Sequence, residues 1–200
     1  MRKRTSWIWV IGLLWPGFGW ADQAMLTQVS GQVTVEGKDG KRPAVAFLKV
    51  STGEKLALGA DGRVQIVYFG NGRQELWAGA GEVEIAGLEG RSAAIKPAVK
   101  QLPPLVVNQL AKTPAAGQQG KAGMILVRSL ENPDAVDHLD KQFEELKRAA
   151  AADDTTPEVF LLSGLIELKE FDRAKELLET LRDKPEYKHV VAHFAPLTAR

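Results

Sequence analysis

The sequence predicts an α+β protein in which a small antiparallel β sandwich or barrel is followed by a C-terminal helical hairpin of three to four helices. Three observations carry this. Between residue 25 and about residue 90, apolar residues recur at every second position, the period of strands buried on one face. From residue 133 onward they recur at spacings of three and four, the helical period. Between these stretches, Pro97, Pro103, Pro104 and Pro114 with Gly117, Gly120 and Gly123 interrupt both patterns. The expected organisation is a leader over 1–21, a β domain over 22–90, a connector over 91–130 and a helical unit over 131–200.

The leader comes first. Arg2, Lys3 and Arg4 form a basic start, and Trp7 to Trp15 is a nine-residue apolar run ended by Pro16 and Gly17. Gly19-Trp20-Ala21 offers small residues at the −3 and −1 positions before Asp22. This is the layout of a secretory signal peptide. A membrane-spanning helix needs about 20 apolar residues, so cleavage is expected, with no transmembrane segment after it. The expected location is the periplasm, or the medium for a single-membrane cell. Removing Arg2, Lys3 and Arg4 leaves 23 basic residues against 25 acidic, and Trp77 as the only tryptophan.

In the β region, Val29, Gly31, Val33 and Val35 alternate with Ser30, Gln32, Thr34 and Glu36. Val64, Ile66 and Tyr68 alternate with Gln65 and Val67, and Val83 and Ile85 with Glu82 and Glu84. Asp39-Gly40, Asp61-Gly62 and Asn71-Gly72 punctuate the runs with residues that tolerate positive φ. Gly70-Asn71-Gly72 between Val64–Phe69 and Gln74–Trp77 is the strongest hairpin signal.

In the connector, Leu105 to Lys112 reads as a short helix opened by Pro103-Pro104. Ala115 to Ala122 reads as linker, and Met124 to Val127 as a strand returning to the sheet. Asn132-Pro133-Asp134 then starts a helix with a cap, a first-turn proline and an acid at the positive dipole end. Val136, Leu139, Phe143, Leu146 and Ala150 form its apolar stripe, and Asp153-Asp154 ends it. Thr156-Pro157-Glu158 opens a broadly apolar second helix with Val159, Leu162, Leu165, Ile166 and Leu168, and Gly164 marks a place for close approach. Phe171-Asp172 is the expected break. Ala174, Leu177, Leu178 and Leu181 make a third helix stopped by Lys184-Pro185, and Tyr187 to Phe194 a short closing one.

Two resemblances follow from these residues. Val29-Ser30-Gly31-Gln32-Val33, Gly53 to Gly59, Ala60 to Phe69, Gly70-Asn71-Gly72-Arg73 and Glu82-Val83-Glu84-Ile85 resemble the FecR-like domain of exported bacterial proteins, over about a third of the chain. The resemblance implies a compact β fold and an exported location. Two details depart from the family: Asn71-Gly72 replaces the usual aspartate-glycine hairpin, and Ala78 to Gly81 is unusually glycine-rich. The second helical pair resembles one tetratricopeptide-type repeat, with Leu161, Leu165, Phe171, Ala174 and Leu178 on packing positions. Leu162 stands where that pattern has a small residue. A single unit buries its apolar face poorly alone, so it must pack on the β unit, a second copy or a partner.

Composition and motifs limit the chemistry. Lys+Arg 26 against Asp+Glu 25 lacks the basic excess of a nucleic-acid binder. The charge is uneven: residues 22–112 hold 11 basic and 9 acidic residues, and residues 113–200 hold 12 and 16. The absence of cysteine excludes disulfides, cysteine nucleophiles, thiolate metal sites and a lipid-modified cysteine. His189 and His193 stand at metal-ligand spacing with Glu186 nearby, but Val190 occupies the glutamate position of a zinc protease, so a packing role is expected. His138 is a lone residue on a polar face. Ala115 and Ala122 break a phosphate-loop pattern, and Glu84 breaks a dinucleotide loop at Gly79-Ala80-Gly81. Ser163 sits inside a helix without a nucleophile elbow. Asp134, Asp137, Asp140, Glu144 and Glu145 spread over a solvated helix face.

The expectation is a non-catalytic periplasmic protein without cofactor or metal, which binds or scaffolds an envelope protein. Leu165, Leu177 and Leu178 would lie near the groove that holds the partner. The alternative is a peptidoglycan- or carbohydrate-binding module in which Trp77 and Tyr68 stack on sugar, although at strand positions the same rings serve a core. A third reading, a component of an envelope signalling system, needs a membrane-spanning partner.

Overall fold

The structure is a computed structural model and describes residues 23–38, 40–117 and 133–199. The leader, Asp39 and the expected strand Met124–Val127 lie outside the described residues. Among the described residues the strands are β1 (Ala24–Ser30), β2 (Val33–Gly37), β3 (Gly40–Pro43), β4 (Lys49–Val50), β5 (Lys55–Leu58), β6 (Arg63–Tyr68), β7 (Arg73–Ala78), β8 (Gly81–Ile85), β9 (Gly90–Arg91) and β10 (Ala98–Gln101). The helices are α1 (Pro104–Lys112), α2 (Pro133–Ala149), α3 (Thr156–Glu167), α4 (Phe171–Leu181) and α5 (Lys188–Thr198), with a 3-10 turn at Pro185–Tyr187. Two antiparallel sheets followed by helices make the chain α+β. None of the described helices is long and apolar enough to cross a membrane.

The first sheet runs β10-β7-β6-β1-β4 and the second β3-β2-β5-β8-β9. Their facing sides share one apolar layer: Ala24, Leu26, Val64, Ile66, Tyr68 and Trp77 from the first, and Val33, Val35, Leu56, Leu58, Val83 and Ile85 from the second. Each aliphatic side chain so enclosed contributes roughly 1.5–3 kcal/mol. The expected run from Val29 to Val35 is in fact two strands. Gly31 turns the chain at φ 68°, and a Cβ there would stand 2.2 Å from the Asp61 carbonyl oxygen. Val29 therefore stays in β1, which ends at Ser30, while Val33 and Val35 enter the other sheet. A bulge between Leu26 and Gln28 in the β1–β6 ladder inserts Thr27. It switches the parity, so Leu26 and Val29 both face the inner layer. The hairpin at Asn71-Gly72 joins β6 to β7, with Arg73 N–H donating to Asn71 Oδ1 at 3.0 Å.

The helices cover the outer face of the first sheet. Met25 and Val67 point outward from β1 and β6 into one core with Val106, Val107 and Leu110 of α1 and with Val159, Leu162, Leu165, Val190 and Phe194. The helical unit thus packs on its own β unit. All ten residues from Thr156 to Leu165 of α3 are buried, which explains why its sequence is apolar all round rather than striped. Gly164 lets α2 close in: a Cβ would meet Leu139 Cδ1 at 2.4 Å. The break between α3 and α4 falls at Leu168–Glu170, just before the expected Phe171-Asp172. There Lys169 takes φ 65°, and Glu170 N–H donates to the Leu165 carbonyl at 2.8 Å. This is a Schellman turn with lysine in the position usually given to glycine. Phe47, also at positive φ, closes the seam from the loop between β3 and β4. Its ring stacks on His193 at 4.0 Å between centroids and meets Phe194 edge-on at 5.5 Å.

Candidate functional site

The residues singled out from sequence lie mostly inside. Tyr68 is wholly buried and Trp77 is 2% exposed, both in the layer between the sheets. This corrects the expectation of a stacking platform, because neither ring has a face open to a sugar. Leu165 and Leu178 are buried in the core between helices and sheet, and Leu177 packs against it half-buried. This corrects their placing along an open groove. The inner side of the helical unit is taken up by α1 and the first sheet.

The histidine pair is also internal. His193 is buried and His189 half-buried on the side of α5 that faces Phe47. Burial lowers the pKa of His189 against the raising effect of a bond to the Thr27 backbone. Burial lowers His193 to about 4, with a backbone bond to Pro114 opposing and the neighbouring His189 adding to the shift. Both rings are therefore neutral packing groups at pH 7. Among the described residues no three histidines or carboxylates gather as a metal site. The Ser163 hydroxyl lies 2.7 Å from that of Thr113, buried between α1 and α3, with no base beside it to make a nucleophile. Asp140 on the acidic face of α2 pairs with Arg173 of α4 at 2.9 and 3.0 Å.

Two polar clusters went unread in the sequence. The first is inside the sheet layer. Glu75 is wholly buried and accepts bonds from Arg73 Nε at 2.5 Å, Trp77 Nε1 at 2.9 Å and the Gly90 backbone N–H at 2.9 Å. Burial and this carboxylate push the Tyr68 hydroxyl pKa far up. Three donors on a fixed carboxylate make a structural clamp from β7 to β9. Its signal was the same-face series Arg73, Glu75, Trp77 on one strand.

The second cluster lies at the seam between the first sheet and the turn from α2 to α3. Gln65 of β6 donates Nε2 to Asp154 Oδ1 at 3.2 Å and to Thr156 Oγ1 at 2.9 Å. Gln74 of β7 donates to the same hydroxyl at 3.4 Å. Asp154 Oδ1 accepts the Thr156 backbone N–H at 3.0 Å, meeting an otherwise orphan donor at the start of α3. Lys100 of β10 reaches Asp154 Oδ2 at 3.4 Å and the Ala149 carbonyl at 3.3 Å. Arg63 and Asp153 stand 3.6 Å apart on the rim. Beside these bonds is a cleft of about 240 Å³ with Gln28, Gln74, Leu76, Val99 and Lys100 in its wall and Ala149 to Asp154 above it. A shallower recess continues along Gln28, Ser30, Arg63 and Leu76.

Chemically the cleft and its rim offer amide donors and acceptors, the two cations Lys100 and Arg63, and the two carboxylates Asp153 and Asp154. The charged groups are paired with one another, and Asp154 is spent on the helix start. Such a lining orients a polar ligand and supplies neither a nucleophile nor a free base. No family model, curated protein or solved structure matches the chain.

Proposed function

We propose that this chain is an exported, non-catalytic protein of the bacterial periplasm that binds or scaffolds envelope proteins, and that it meets its partner at the cleft between the first sheet and the α2–α3 turn. In the same reading, the two sheets form a sandwich akin to the FecR-like domain, and α2 to α5 form a tetratricopeptide-like unit that braces it. One observation carries the choice of site. The concave side that helical repeats offer to ligands is filled here by the protein's own α1 and sheet, whereas the neighbouring cleft keeps open volume ringed by amide and charged side chains. The carbohydrate reading loses its support, since Trp77 and Tyr68 are enclosed.

The test is photo-cross-linking in the exporting cell. A photo-reactive residue is placed at Gln28 or Ala98 on the cleft, and separately at Lys175 or Glu179 on the exposed side of α4. Adducts to one envelope protein from the cleft positions alone are expected. Adducts confined to α4, or to glycan, would overturn the proposal.

A further inference from the structure

The cleft opens along the edge of the first sheet, and the four sheet edges differ. β4 and β9 are each two residues long. β3 carries Lys41, Arg42 and Pro43, the residues by which edge strands repel added chains. β10 is four residues long, contains no proline, and has a hydrogen-bonded neighbour on one side only among the described residues. Val99 at its centre is 50% exposed. Its one lysine, Lys100, would be the natural guard. That side chain is folded back onto Asp154 and the Ala149 carbonyl and does not project across the edge.

In an antiparallel pair, alternate residues turn both N–H and C=O away from the partner strand. Alternate residues of β10 therefore present main-chain donors and acceptors outward, and the group that matches such a row is another extended main chain. The register fixes where its side chains would go. Ala98 lies opposite Leu76 and Lys100 opposite Gln74, so these four share the face that lines the cleft. Every second side chain of an added strand would stand beside Ala98 and Lys100 at the cleft mouth. Charge narrows the class further. Arg91 pairs with Glu89 and Lys100 with Asp154, which leaves Lys96, exposed and forming no ion pair among the described residues, as the cation beside the edge.

We infer that the open edge of β10 takes an extended, acidic peptide segment of the partner as an added strand, with alternate side chains at the mouth of the cleft. This deepens the cleft proposal and rests on it.

The test is residue-resolved amide hydrogen exchange on the full mature chain. The probes are a short synthetic peptide of alternating valine and glutamate and its valine-and-lysine counterpart. In the free chain, alternate amides of Ala98–Gln101 exchange fast. With the acidic peptide at about ten times its Kd, those amides slow by about tenfold, because only the free fraction exchanges. Val99→Lys, which restores a guard at an exposed position, abolishes the slowing. Val45→Lys, at a position 47% exposed elsewhere, preserves it.

Four results would overturn the inference. All four amides could already be slow in the free chain, which places another part of this chain on the edge. The slowing could appear without peptide and grow with protein concentration, which places a second copy there. The lysine peptide could act equally well, which removes the charge recognition. If cross-links map to Gln28 and Ala98 while the β10 amides never respond, the cleft stands and strand addition falls.

Discussion

Phe47→Ala should weaken the whole molecule at once. Phe47 is 1% exposed and belongs to the core shared by Met25 and Val67 of the first sheet and by Val190 and Phe194 of α5. Truncating a buried phenylalanine costs about 3–5 kcal/mol, and here the stacking on His193 and the edge contact with Phe194 go with it. At this chain length each kcal/mol is worth about 2–4 °C, so Tm should fall by about 10 °C. The backbone supplies an internal control. Phe47 holds φ 65°, a conformation that costs a residue with a Cβ about 1–2 kcal/mol. Phe47→Gly should therefore be more stable than Phe47→Ala by about 1 kcal/mol, although it removes more side chain. The assay is urea unfolding of a chain starting at Asp22, followed by Trp77 fluorescence for the layer between the sheets and by far-ultraviolet circular dichroism for the helices. Both probes should move to the same lower midpoint. A circular dichroism transition that shifts while the Trp77 transition stays would refute a shared core, and so would a loss under about 1 kcal/mol.

Three further outcomes follow from the same packing. Glu75→Gln should cost about 1–3 kcal/mol, since an amide has one acceptor oxygen and cannot take the Arg73, Trp77 and Gly90 donors together; chemical denaturation at neutral pH reads this, and a neutral result would deny the clamp. Asp154→Ala should cost about 1–3 kcal/mol by taking one of two acceptors each from Gln65 and Lys100 and the side-chain acceptor from the Thr156 N–H, whereas Asp153→Ala on the exposed rim should stay within about 0.5 kcal/mol. His189 and His193 both titrate below 6.5 when folded, so the unfolded chain binds protons first. Their contribution is complete above about pH 6.5 and is lost as pH falls below it, for His193 toward about 4, by at most about 1.4 kcal/mol per pH unit for each ring. Denaturation midpoints at pH 7 and pH 5 should separate for the wild type and lie closer together for His193→Gln, with the remaining separation owed to His189.

Much of the β unit was legible because its signals are local. The hairpin at Asn71-Gly72 needs only the turn residues and the alternation on either side. The edge strands were not: Lys49–Val50 and Gly90–Arg91 are too short to show a period. The bulge at Thr27 is a matter of register between β1 and β6 and leaves no trace in β1 alone. The helix starts at Pro133 and Thr156 were readable from their prolines, while the turn at Lys169 was hidden by a lysine where glycine is usual. The seam cleft was harder still. Gln65 and Gln74 stand on neighbouring strands, and Asp154 and Thr156 lie more than 80 residues further on; they acquire meaning only when the helices fold back on the sheet. Trp77 and Tyr68 looked like binding rings because strand alternation tells which residues share a face without telling which face is covered.

The most direct test of the cleft as the partner site is the affinity of the cross-linked envelope protein for three forms of the chain starting at Asp22. Leu76→Trp fills the cleft from β7, and Glu179→Lys alters the exposed face of α4 without touching it. Leu76→Trp should weaken binding by about tenfold or more, about 1.4 kcal/mol, while Glu179→Lys binds like the wild type. Undiminished binding by a folded Leu76→Trp, together with a loss in Glu179→Lys, would contradict the cleft and place the partner on the helices.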